Sequence, residues 1–246
     1  MQRVSNRLIE QSDIENMPNT WKKQAYRQIA KKLGPKSNFP CIFSKNAYKK
    51  GLLQFVFMES ISHDQMEELK VCLTEFIEAN KEWDHRISTA KPLLIVFSTQ
   101  AIKSERLEDY HSFGWNVLRS IHALDPSPWP HGVDKDPSSP NWSMCFNGMQ
   151  LFINMSCPAH KVRRSRNLGD HFIMVVNPRE RFDVVAGDNA KGHRVRDEIR
   201  GRIEIYDNCK PCKQLGYFGS DTMEWQQYGI IEENKTRTSK CPYKID

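Results

Sequence analysis

The chain has 246 residues, 39% hydrophobic, 27% charged and 10% aromatic, an ordinary globular balance with apolar material for one large core. Its net charge of +6 comes from lysines and arginines interspersed with acids, and no nucleic-acid-reading motif is present, which disfavours a nucleic-acid-binding module. The first residues lack an export signal, the apolar runs are too short to span a bilayer, and the seven cysteines are odd in number, so the expectation is a soluble cytoplasmic protein with reduced thiols.

Residues 1–17 read as a polar lead-in. Trp21, Ala25, Ile29 and Leu33 then fall on one face at helical spacing, and Gly34-Pro35 supplies the stop. Phe39-Pro40-Cys41-Ile42-Phe43 reads as a short extended segment, because Pro40 biases Phe39 away from helix. Leu52–Phe57 is a second strand candidate. Ser62 opens a helix with Gln65 placed for a capping box, and Met66, Leu69, Leu73, Phe76 and Ile77 form its stripe. Pro92–Phe97 is a continuous apolar run, expected to be a central strand buried on both faces.

An amphipathic helix follows over Ser104–Leu124, with Leu107, Tyr110, Val117, Leu118, Ile121 and Leu124 inward. Asp125–Asn141 is a loop with five prolines, and a long irregular stretch inside a domain is usually functional. Asn147-Gly148 between two apolar runs predicts a tight hairpin, since both residues tolerate positive φ. Asp170–Val176 gives a further strand, Asn177-Pro178 a turn, and 193–206 a helix or helix–strand mixture weakened by Gly201. The order of elements, without an internal repeat or linker, predicts a single α+β domain: a mixed sheet, a late hairpin and flanking helices.

Chemistry concentrates after the hairpin. His160 can ligate a metal or haem iron through one ring nitrogen while the other is held, or it can simply cap a turn. Arg163, Arg164 and Arg166 can fork on to carboxylates or phosphates, or form a solvated basic surface. One anionic metal cofactor would satisfy both groups. Cys209-Lys210-Pro211-Cys212 has the spacing of a zinc half-site or a redox dithiol, with Cys241 and His193 as conceivable completions of a zinc site. His122 lies on the inward half of its helix, as a packed residue or a second pocket histidine. No Walker A, GxGxxG, HExxH or GxSxG motif occurs.

The sequence resembles the YqcI/YcgG family over nearly its whole length. The resemblance is carried by FPCIF at 39–43, His122 with Asp125, PWP at 128–130, MCFNG at 144–148 and PAHKVRRSR at 158–166. It continues through NPRERF at 177–182, IRGRIEIYD at 199–207, LGYFG at 215–219, EWQQY at 224–228 and CPY at 241–243. The resemblance implies a haem-dependent monooxygenase that hydroxylates a nitrogen of an arginine-like, guanidino or amine substrate. It would use haem b, O₂ and an electron donor of unknown identity. A haem-binding sensor or carrier without turnover is the alternative. On this reading His160 is the first choice of iron ligand, His122 the second, and the thiolates of Cys41 or Cys145 stand behind. Arg163 and Arg166 would pair with the propionates, and Asp125 and Glu224 would be carboxylate partners for a guanidinium.

Overall fold

The computed structural model describes residues 8–217, 219, 222–237 and 239–243. In chain order the elements are β1 (Ile9–Glu10), α1 (Gln11–Ile14), α2 (Trp21–Leu33), α3 (Ile42–Lys49), β2 (Gln54–Met58), α4 (His63–Glu78), β3 (Leu93–Phe97), α5 (Leu107–Ala123), β4 (Met144–Phe146), β5 (Met149–Ser156), β6 (Ile173–Pro178), α6 (Glu180–Ala186), α7 (Ala190–Asp207) and α8 (Glu224–Tyr228). Short 3-10 turns lie at Ile87–Thr89 and Arg164–Arg166.

The strands form one six-stranded sheet in the order β1-β2-β3-β6-β5-β4. Only β2 and β3 run parallel, as a strand–α4–strand crossover requires; every other pair is antiparallel. β2 and β3 are buried at all five positions, the signature of strands covered on both faces. Alternation then sorts the side chains. Val56, Met58, Ile95, Phe97, Ile153 and Met174 pack with α4 and α5, whereas Phe55, Phe57, Leu94, Val96 and Ile173 pack with α2 and α3. Each such side chain, fully buried, contributes about 1.5–3 kcal/mol. The result is a mixed α+β architecture with helices on both faces of the sheet.

The hairpin forms as the Asn-Gly pair demands. Asn147 sits at φ +48° and Gly148 at φ +74°, and Phe146 pairs with Met149 across the turn. The helices of 21–33, 63–78 and 107–123 and the central strand also follow the predicted stripes.

Several expectations need correction. The segment 39–43 is not a strand: Cys41 is the extended N-cap of α3, and Ile42 starts the helix. A short strand-like run carries little propensity of its own, and Ala47 is buried instead in the core beside α2. The lead-in is partly structured. Ile9 and Glu10 pair with β2, Ile14 is fully buried, and Gln11 accepts from Leu53 N at 3.3 Å; residues 1–7 of that stretch lie outside the described residues. Gln65 makes no capping box, because its Oε1 reaches back past Ser62 to Glu59 N (2.9 Å) and Ser60 N (3.0 Å). Asn177 and Pro178 complete β6 rather than turning, and 193–206 belongs to one continuous helix, α7. The loop of 125–141 keeps its irregular backbone but is anchored: Trp129 is buried and donates to Val133 O at 2.9 Å.

Candidate functional site

On β5 the side chains of Phe152 and Asn154 point away from α5, toward α6, α7 and the 39–43 segment. Between them lies a cleft in two adjoining lobes of about 230 and 190 Å³. The lobes share Phe39, Cys41, Phe43, Phe152 and Phe182 as walls. Local chemistry holds this enclosure. Phe182 of α6 packs on Phe152 with ring centroids 4.6 Å apart, and Arg179 forks on to Asp183 at 2.9 and 2.7 Å. The Asn189 side chain caps α7 by accepting from Gly192 N at 2.9 Å, and Asn208 ends that helix in the left-handed region.

Five arginines line the cleft: Arg166, Arg179, Arg181, Arg196 and Arg200. Four are engaged by neighbours: Arg179 on Asp183, Arg181 on Lys91 O at 2.9 Å, Arg196 on Gly187 O at 3.0 Å and over the Tyr217 ring, and Arg200 on Leu215 O at 2.9 Å. Arg166 is different. It is buried, makes one long bond to Gln227 O at 3.5 Å, and burial pulls its guanidinium down to about 10 against the opposing influence of Cys212 and Cys41. It therefore faces the cleft as an under-paired cation within electrostatic reach of the Cys41 sulfur. Cys41 is a free cysteine at the extended N-cap of the eight-residue α3.

Glu224, the first residue of α8, is buried in the same cleft. Ser143 Oγ (2.6 Å) and Tyr228 OH (2.7 Å) both donate to its Oε1, leaving Oε2 without a hydrogen bond to any described residue. Burial raises this carboxyl to about 7, more than the two hydroxyls lower it. It is poised to ionise when a cation arrives.

A second constellation lies on the opposite face of the sheet. Cys157 follows β5, His160 follows Cys157, and His111 projects from the second turn of α5. All three are buried, and their ligand atoms lie within 4.8 Å of one another, the only such grouping of three among the described residues. His160 Nδ1 donates to Glu232 Oε1, and Glu232 Oε2 accepts from Val162 N (2.9 Å) and Arg163 N (3.3 Å). The Nε2 atoms of His111 and His160 are buried and find no hydrogen-bond partner among the described residues. Burial, reinforced by His160, Arg237 and Arg166, pulls His111 down to about 3, so its ring is neutral at any ordinary pH.

The remaining expected residues are placed elsewhere. His122 packs edge-on between Trp129 and Tyr243. Eleven residues of helix separate it from His111, about 16 Å along the axis, so it does not join His160. Asp125 serves the hairpin turn, its Oδ1 accepting from Ser127 N and Asn147 N at 2.9 Å each, and it lines neither lobe of the cleft. Arg163 is buried as a clamp, donating to Ile231 O (2.8 Å) and Lys210 O (3.2 Å); its fork is spent on carbonyls and is not offered to a propionate. Cys145 is fully buried, with its thiol pushed up to about 12. The dithiol makes no zinc site: Cys209 accepts from Arg163, Cys212 contacts Gln214, His193 pairs with Asp188 at 2.7 Å, and Cys241 accepts from Tyr243 N.

Nothing in the sequence singles out His111. It shares its helix face with Leu107, Trp115, Leu118 and His122, so periodicity marks both histidines as inward but does not say which meets the chain after β5.

The haem expected from the resemblance asks for a flat apolar slot, an axial donor and cations for its propionates. The cleft offers phenylalanine walls, the Cys41 thiol and Arg166, in a volume within the roughly 300–1,000 Å³ of ligand pockets. The triad does not fit a macrocycle. Porphyrin leaves iron only two axial positions on opposite sides of a plane, whereas three buried donors here converge on one point.

Comparison with known proteins places the chain among close relatives. The model of the YqcI/YcgG family matches residues 28–244. The chain is 51% identical over 236 residues to the putative N(omega)-hydroxy-L-arginine synthase DcsA of Streptomyces lavendulae, covering 96% of this chain and 89% of that protein. It is 30% identical to the uncharacterised YqcI of Bacillus subtilis over 244 residues (96% and 94%) and 31% identical to the uncharacterised YcgG of the same organism over 234 (93% and 90%). No solved structure matches. No helix among the described residues is long and apolar enough to cross a membrane.

Proposed function

The chain belongs to the YqcI/YcgG family, and on that premise we propose that it is a haem-dependent monooxygenase hydroxylating a nitrogen of arginine or of a related guanidino or amine compound. The observation that carries the reading is the cleft, where an apolar slot, a thiol at a helix N-terminus and a buried carboxyl meet in a chain 51% identical to a putative hydroxyarginine synthase.

Cys41, in preference to His160, would hold the haem iron. Cys41 lines both lobes of the cleft at the start of α3, within electrostatic reach of Arg166, whereas His160 lies on the opposite face of the sheet. Phe39, Phe43, Phe152 and Phe182 would wall the ring system, and Arg166 would answer a propionate. When bound, haem supplies iron that binds and activates O₂.

The protein's own residues do the rest. Glu224 Oε2 faces the cleft and accepts from the guanidinium, while Ser143 and Tyr228 fix the other oxygen and so the plane of the carboxylate. The approach of a guanidinium favours the ionised carboxylate, so the proton leaves Glu224 as substrate enters. The phenylalanine walls limit water around the reacting nitrogen. Replacing N–H by N–OH with one oxygen atom of O₂ consumes two electrons and two protons and releases water, so an electron donor is required.

The test is reconstitution with haem and a spectrum of the reduced, CO-bound protein. A Soret maximum displaced to the red as in thiolate-ligated haem, lost in Cys41→Ser, is expected. Incubation with L-arginine, O₂ and a reductant should then yield an N-hydroxylated product detectable by mass. A histidine-type CO spectrum unchanged by Cys41→Ser would overturn the ligand assignment. Stoichiometric haem with no product from arginine, guanidines or amines would overturn the activity.

A further inference from the structure

We propose that His111, Cys157 and His160 bind one divalent transition-metal ion of the zinc or iron(II) class, at a site separate from the cleft. The two lie on opposite faces of the sheet: Asn154 of β5 lines the cleft, while Met155 and Cys157 enter the core beneath α5.

Packing alone does not account for the triad. A buried polar atom left without a partner is destabilising, and both Nε2 atoms are in that condition among the described residues. Both are turned inward in a cluster whose donors already converge within 4.8 Å. A tetrahedral ion bound at ~2.0–2.3 Å places its donors about 3.3–3.7 Å apart, so the triad closes on an ion by side-chain adjustment of about 1 Å.

The surroundings are those of a built metal site. Glu232 holds His160 Nδ1, which fixes the tautomer and leaves Nε2 as the donor; two backbone amides in turn hold Glu232. Gly229 lies close against the His111 ring, since a Cβ there would sit 2.9, 3.0 and 3.2 Å from Cδ2, Nε2 and Cγ of the imidazole. The glycine and the ring are thus fitted to each other.

Two imidazoles and a thiolate are too soft a set for magnesium or calcium and suit zinc, iron(II) or cobalt(II). On binding, the Cys157 S–H bond breaks, an S–metal bond forms and the proton passes to solvent. A cavity of about 440 Å³, bordered by His111, Trp115, Glu232 and Arg237, brings solvent to the edge of the triad at His111.

The experiment uses the full chain, stripped with a chelator and titrated with cobalt(II). One equivalent should produce the visible d–d bands of a tetrahedral site together with a near-ultraviolet thiolate-to-cobalt band. Zinc(II) should displace it and raise the unfolding midpoint. Cys157→Ser should abolish the thiolate band, and Glu232→Gln should weaken binding ~10–100-fold. Glu232→Gln and Gly229→Ala change no ligand, so they carry the test if a ligand variant fails to fold; both should lower cobalt affinity. Absence of the bands, or bands unchanged in Cys157→Ser and Glu232→Gln, would overturn the proposal. Cys41→Ser should leave the cobalt spectrum intact, which separates this site from the haem. A Soret band that survives Cys41→Ser but vanishes in His160→Ala would place haem at these histidines and overturn the bare-ion site as well.

Discussion

Glu224→Gln isolates the energetic cost of keeping an ionisable group in the cleft. Burial lifts the carboxyl from its ordinary 4.5 to about 7, and that difference corresponds to about 3 kcal/mol. The folded protein holds this proton more tightly than the unfolded chain does. The group's contribution to stability is therefore fully present below about pH 4.5, declines as the pH rises, and is gone above about pH 7. Glutamine keeps an oxygen for Ser143 and Tyr228 but cannot ionise. Urea unfolding of both proteins from about pH 4.5 to about pH 8 should show the variant gaining on the wild type by up to about 3 kcal/mol as the pH rises. Taking the difference between the two proteins cancels every other titrating group. Arginine should reverse the trend, stabilising the wild type more at high pH, where the carboxylate is ready for it, and the variant little at any pH. Parallel stability profiles across the window would refute the reasoning, because they would mean that Glu224 ionises in the fold as freely as in water.

Two other substitutions test the placement of residues. Asp125→Ala strips an acceptor from the amides of Ser127 and Asn147 and should lower the unfolding free energy by about 1–3 kcal/mol while substrate affinity, read by calorimetry, stays unchanged. Gly201→Ala lies in the middle of α7 with nothing within 4 Å of the added methyl, so it should raise the unfolding free energy by about 0.5–1 kcal/mol in the same urea assay.

The parts of the fold that could be read in advance are those whose causes are local. Asn147-Gly148 imposes its turn through backbone sterics, and the stripes of α4 and α5 follow from helical period. What period supplies is a face, and a face does not name its partner. His111 and His122 share one face of α5, yet the first meets Cys157 and His160 from beyond β5 and the second meets Trp129 and Tyr243. Glu232, which orients His160, lies 72 residues further along the chain. Cys41 was misread for a different reason. The local preference of Phe39-Pro40-Cys41 for extended backbone is obeyed, but tertiary packing starts α3 one residue later and turns a presumed strand residue into a helix cap. Arg163 and Arg166 are near neighbours with opposite fates, because the first finds carbonyls of the 210 and 231 segments within reach and the second finds, among the described residues, one distant carbonyl.

The segment 224–243 touches both constellations. It brings Glu224 to the cleft, sets Gly229 against His111, and offers Ile231 O to Arg163 and Glu232 to His160. A ribosome delivers these residues after every strand of the sheet, so both sites lack their last wall, and the core beneath α5 lacks Trp225, Tyr228 and Tyr243, until this segment has emerged. Loading of either site in its finished form thus belongs to the closing stage of biosynthesis. A nascent chain arrested near residue 223 would carry the sheet yet be unable to hold His160 in its final orientation.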